Sequence, residues 1–299
     1  MTLTARTRLA TLLLLALTAV WGSTFFLIHD LVEHVPPVDF LAVRFAIAAV
    51  VMLVLFRRAV RSLTRREVAI GVGLGLLYGL AQIFQTQGLA TTPASVSGFV
   101  TGSYVVLTPV FTALVLRERV PGSTWAAVGI ATAGLALLSL NGFSVGAGEA
   151  ITLLAAVCYA LHIVGLGRYS ASRIATGLSV VQVVVIAVIC LIGALPGGIV
   201  LPRTPAHWAS VLYMVVFASI LALWAQTWAQ AHLPATRAAI IMTVEPVFAA
   251  FFAVTLGAET PTWRMVVGGG LVLTAMYAVE LLARRRPGEL PVEALHHEV

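Results

Sequence analysis

Lysine is absent from the 299 residues, so all eighteen basic side chains are arginine. Charge of either sign is scarce: 10% of residues are charged, against the ~25% of an ordinary soluble domain, while 60% are hydrophobic. That shortage excludes a water-soluble fold. The two cysteines, Cys158 and Cys190, both fall within apolar stretches, which excludes a disulfide framework. Catalytic signatures are missing as well. There is no Walker motif for ATP hydrolysis, no His/Cys cluster with metal spacing and no Gly-x-Ser-x-Gly elbow. Neither an enzyme centre nor a cofactor or resident metal is expected.

What fills the chain is apolar sequence in runs of the roughly 20 residues that a membrane-crossing helix needs. Ten spans are predicted, at residues 9–29, 38–56, 68–90, 96–117, 122–141, 148–167, 176–195, 207–231, 236–256 and 263–283. Only helices and closed barrels satisfy the backbone in lipid, and these runs are continuously apolar rather than alternating, so an all-α membrane protein is expected. The first run is kept as a span rather than a signal peptide, because no small-residue cleavage site follows it.

The arginines are distributed unevenly. Fifteen lie before the first span or after the even-numbered ones, and only Arg203 and Arg264 occupy the opposite gaps. This places both termini in the cytoplasm and supports the span count, since one helix more or fewer would scramble the alternation. It also argues against a nucleic-acid partner.

Two passages repeat. Gln85-Thr86 with Pro93-Ala94 matches Gln226-Thr227 with Pro234-Ala235 at an offset of 141, and Pro109-Val110-Phe111 matches Pro246-Val247-Phe248 at 137. The change of offset is about one helical turn. The matches divide the chain into residues 1–146 and 147–286, five spans each, leaving 287–299 as a cytoplasmic tail expected to be disordered. An odd number of crossings per half means inverted topology, the arrangement of many secondary transporters.

These residues resemble the drug/metabolite transporter superfamily, and within it the EamA-type ten-helix carriers. The resemblance rests on Trp21-Gly22-Ser23-Thr24-Phe25, Arg44-Phe45, the Thr-Pro-Val-Phe run from Thr108 to Phe111, Glu245-Pro246-Val247-Phe248, and the later Gly257, Glu259 and Trp263. It covers about residues 10–285. The first half is about a turn shorter after its proline than the second. The resemblance implies export of amino acids and small metabolites, with YddG-like amino-acid exporters among the better-known members, although no motif fixes that subgroup.

Polar groups within spans are the candidates for cargo binding, because each is costly in lipid unless it faces protein or a water cavity. Span 3 sets Tyr78, Gln82 and Gln85 on one helical face. Span 8 offers Trp224, Gln226 and Trp228; span 6 offers Tyr159 and His162; span 1 offers Trp21 and Ser23. Packing by interhelical hydrogen bonds is the competing account of the set, and a lone histidine such as His162 is more often a packing residue than a ligand. Glu245, an acid deep within a span, is open to four roles: carrying a proton, binding an ammonium group, bonding backbone freed near Pro246, or pairing with an arginine. Arg44 is read as positioning its helix, by snorkelling or by pairing with Asp39 or Asp30, ahead of the alternative that it contacts the cargo. Pro109 and Pro246, at matching repeat positions, are predicted to bend their helices and act as gates. Gly129, Ala133 and Gly134 in span 5 and Gly268 to Gly270 in span 10 predict a close-packed seam between those helices, away from the pathway.

The sequence therefore points to an inner-membrane secondary transporter exporting aromatic and other neutral amino acids by alternating access. The alternative cargo is a drug or quaternary amine held by Glu245 with Trp21, Trp224 and Trp228. A membrane enzyme would need a cluster of ionisable residues at one interface, and a channel would not need two occluding halves. Partners are expected to be the small-molecule cargo and membrane lipids, with the chain a monomer or a weak homodimer.

Overall fold

The computed structural model describes residues 3–92, 94–139, 146–256 and 260–284, and these are helical with short connections. The expected tail at 287–299, and Gly257 and Glu259, lie outside the described residues. The helices are α1 (Leu3–Val32), α2 (Pro37–Arg61), α3 (Arg65–Leu89), α4 (Ala94–Gly102), α5 (Tyr104–Val115), α6 (Gly122–Ser139), α7 (Ala147–Tyr169), α8 (Ala175–Ala194), α9 (Pro205–Tyr213), α10 (Ala222–Gln230), α11 (Ala235–Met242), α12 (Glu245–Thr255) and α13 (Trp263–Arg284). A π-helical stretch, Met214–Leu221, joins α9 to α10.

Local chemistry sets the ends. Pro37 opens α2 and Pro205 opens α9, where a missing N–H costs nothing. Thr64 and Glu67 form a reciprocal cap on α3, and Glu67 also takes a hydrogen bond from Arg173. After α8, Gly198 turns the chain at φ 74°, a backbone shape that suits glycine.

Seven helical stretches are long and apolar enough to cross a membrane: residues 5–32, 37–61, 65–89, 147–169, 175–197, 205–230 and 235–252. Shorter apolar helices cover 100–115 and 122–137. The surface matches a lipid environment, since Val54, Leu114 and Val266 are each about 70% exposed while Gln182, Thr227 and Gln230 are fully buried. The protein is a multi-pass membrane protein.

The predicted fourth span is two helices, α4 and α5, broken at Ser103, and the predicted ninth is α11 and α12, broken at Thr243 and Val244. The prolines do not stand at these breaks in the same way. Pro246 is the second residue of α12, where proline is tolerated, whereas Pro109 lies inside α5.

Packing interleaves the two halves of the chain. α2 lies along α8, α3 along α7 and α8, α1 along α12 and α10, and α6 along α13. Glycines permit the closest approaches: Gly71, Gly75 and Gly79 present one face of α3 to Val181, Val185 and Ile189 of α8. The α6–α13 contact centres on Gly134, over the carbonyl of Gly268; Gly129, Ala133 and Gly270 face away from it.

Candidate functional site

A narrow cavity of about 50 Å3, open on one side, lies where α1, α2, α3 and α7 meet the four helices of the two broken segments and the middle of α10. One wall is aromatic and aliphatic, with Trp21, Phe25 and Ile28 from α1, Tyr104 from α5 and Met242 from α11. The facing wall is polar, built from Tyr78, Gln82, Gln85 and Thr86 of α3, Thr101 of α4 and Tyr159 of α7.

The polar wall is one hydrogen-bonded chain. Gln82 Nε2 donates to the Tyr159 hydroxyl (2.6 Å), which donates to Gln85 Oε1 (2.8 Å), and Gln85 Nε2 donates to Thr101 Oγ1 (3.1 Å). Three helices are tied by groups that would each be costly to bury alone. Tyr78 stands beside this chain, its ring edge-on to both Tyr159 and His162 at centroid distances of 5.4 and 5.0 Å.

A second node forms where α2 meets the π-helical stretch. Arg44 is 2% exposed; its Nε donates to Ser219 Oγ (2.7 Å) and an Nη to the Ala218 carbonyl (3.1 Å). That carbonyl also accepts from Trp21 Nε1 (3.1 Å), while Ser219 Oγ donates to Met214 O five residues back, the spacing of a π turn. The guanidinium lies 4.9 Å from the Phe45 ring centre. Arg44 forms no ion pair with Asp39, as its sequence position had suggested; Asp39 instead accepts from Val200 N (3.0 Å). Arg44 reaches the cavity itself.

Opposite in charge, Glu245 lines the same cavity from the first turn of α12. The residue is buried, and its carboxyl group accepts no hydrogen bond from the described residues, which sets aside bonding to backbone freed near Pro246. Gly22 allows α1 to lie directly on this turn, for a Cβ there would sit 2.6 Å from Phe248 Cβ.

Of the ten predicted site residues, Trp21, Tyr78, Gln82, Gln85, Tyr159 and Glu245 line the cavity, and the other four do not. Ser23 points the other way, bonding the Tyr213 hydroxyl at 2.7 Å. His162 is fully buried behind Tyr78, its Nε2 donating to Gln182 Oε1 (2.8 Å). Trp224 Nε1 donates to Thr176 Oγ1 (3.1 Å), and Trp228 stacks on His232 at 4.3 Å. Gln226, the span 8 residue named between the two tryptophans, also lines the cavity, and so does Arg44, which has no acidic partner among the described residues.

Known proteins share this architecture. Residues 8–140 and 146–281 each match the EamA-like transporter family. An uncharacterized transporter of Archaeoglobus fulgidus is 30% identical over 89% of this chain and 84% of its own. The inner membrane transporter YedA of Escherichia coli K12 is 25% identical over 90% and 89%, and the pseudopaline exporter CntI of Pseudomonas aeruginosa PAO1 is 27% identical over 89% and 94%. A solved crystal structure superposes with a TM-score of 0.77 at 19% identity, covering 93% of this chain and 99% of that one. With both halves matched, the chain belongs to the EamA-like transporter family.

Proposed function

We propose that the protein is a secondary transporter of the cytoplasmic (inner) membrane that exports neutral amino acids, aromatic ones included, by alternating access. The observation that carries this reading is the cavity lined by aromatic side chains, by amides and hydroxyls, and by an arginine and an acid with no ion-pair partner among the described residues, set beside two broken helices. Broken helices flanking a central cavity are the usual cargo site of such carriers. Supporting it further, a relative is named an exporter and another an inner membrane transporter.

In this reading the chain crosses ten times as two inverted five-helix repeats, residues 1–146 and 147–286, with both termini cytoplasmic. The arginine asymmetry supports that orientation. On it, the lining residues run from the membrane centre toward the outer ends of α1 and α3, through Ile28 and Leu89. Paired breaks at Ser103 and at Thr243–Val244 serve as gating joints, with Pro109 and Pro246 holding the half-helices that follow them. Glu245 receives the cargo's ammonium group.

The quaternary-amine alternative is weakened by geometry. Its aromatic cage required Trp224 and Trp228, and neither borders the cavity.

Purified protein in liposomes tests the reading through uptake of labelled phenylalanine and threonine, with and without a pH gradient. Saturable uptake that falls sharply in Gln82→Ala is expected. Uptake of a quaternary amine with none of either amino acid would establish the alternative. Substrate-driven proton movement that persists in Glu245→Gln would remove that residue from proton coupling.

A further inference from the structure

Arg44 is a buried cation without a counter-ion among the described residues. Two of its N–H groups are spent on Ser219 and Ala218, both neutral, and its other Nη group donates to no described residue while the side chain borders the cavity. The Phe45 face offsets only part of the desolvation. Glu245 presents the converse problem, an acid at the same cavity with no cationic or hydrogen-bonding partner among the described residues. The two groups do not pair with each other. They are connected through consecutive residues of α1: Trp21 shares the Ala218 carbonyl with Arg44, and Gly22 lies against the Glu245 carbonyl.

A charge held in a dry site is stable only when paired and hydrogen-bonded. An arginine and an acid that line one cavity without pairing with each other leave both partners to the occupant.

We propose that Arg44 is the anion-binding pole of the cavity and Glu245 the cation-binding pole, so that the cargo is a small zwitterion whose carboxylate takes the free guanidinium edge. This deepens the amino-acid reading above and rests on it for the choice of α-amino acids, though not for the charge pattern. The arrangement also discriminates. A purely cationic compound meets Arg44 as a like charge and a purely anionic one meets Glu245, so each half-charged analogue satisfies one pole and leaves the other exposed to repulsion.

The test is competition against labelled phenylalanine uptake in proteoliposomes by phenylalanine, its methyl ester, which lacks the carboxylate, and its N-acetyl derivative, which lacks the ammonium. Loss of one charge-assisted contact should weaken each analogue about tenfold or more in the wild type. Arg44→Gln should weaken phenylalanine by a similar factor and leave the ester unchanged, while Arg44→Lys keeps the wild-type ranking. An ester that competes as well as the free acid in the wild type, or an Arg44→Gln protein that still prefers the acid, overturns the proposal. Thermal stabilisation of the detergent-solubilised protein by glycine betaine and 4-aminobutyrate separates the two readings. Stabilisation that Arg44→Gln abolishes, with no amino-acid uptake, retains the poles and removes the amino-acid reading; an absence of both uptake and stabilisation overturns the poles.

Discussion

Gly22 and Glu245 sit in backbone contact: a Cβ added to Gly22 would lie 2.9 Å from the Glu245 carbonyl oxygen. It would also lie 2.8 Å from Ala249 N, so no side-chain rotation relieves the overlap. Gly22→Ala should therefore push α1 away from α12 and destabilise the protein by about 1–3 kcal/mol, read as a lower midpoint in thermal unfolding. Gly73→Ala, where nothing lies within 4 Å, is the matched control and should not lower the midpoint.

Tyr159 is the centre of the polar wall because its hydroxyl both accepts from Gln82 and donates to Gln85. Tyr159→Phe leaves the buried Gln82 amide and the half-buried Gln85 amide each short of a partner and should cost about 1–3 kcal/mol. Combining it with Gln82→Leu should cost less than the sum of the single changes by about 0.5 kcal/mol or more, measured as a double-mutant cycle in denaturant unfolding. Strict additivity would mean the hydroxyl chain carries no energy.

Helices were legible from the run lengths of apolar residues. Which way a side chain faces was harder to read. Residues two apart on a helix point to nearly opposite sides, so once Gln226 borders the cavity, Trp224 and Trp228 cannot. Ser23 is lost from the site beside Trp21 for the same reason. A helix apolar on all sides offers no stripe to fix its rotation, which is why a list of polar residues mixed lining groups with packing groups. The π-helical stretch carries no proline or glycine to announce it; its carbonyl at Ala218 is engaged by Trp21 and Arg44, which are remote in sequence. Asp39, five residues away along the chain, offers itself in the sequence as a partner for Arg44, but it accepts from Val200 instead, while Arg44 bonds Ser219 and Ala218.

The same facing argument separates two tryptophans by function. Trp21→Phe removes the indole N–H that holds the Ala218 carbonyl and alters the cavity wall, and should raise the KM for uptake about fivefold to tenfold, the value of one buried hydrogen bond. Trp224→Phe breaks only its bond to Thr176 and should leave KM unchanged within error. An equal effect of both would mean that cargo passes elsewhere.

Arg117 follows the end of α5 with φ 56°, a left-handed backbone that glycine adopts far more readily than arginine. Arg117→Gly should stabilise the protein by about 0.5–1 kcal/mol, seen as a higher unfolding midpoint, with transport retained. A lower midpoint would show that the guanidinium contributes more than the strain costs.

A Cβ at Gly134 would lie 2.7 Å from the Gly268 carbonyl and 2.9 Å from Val272 N, so the α6 and α13 backbones are already at touching distance. Helices this close cannot slide past each other in small increments, because every intermediate register brings a larger residue against main chain. The pair therefore behaves as a keel: whatever motion opens or closes the cavity is carried by the other helices turning against a fixed spine, and a rigid probe or cross-link placed across α6 and α13 reports on assembly without impeding transport.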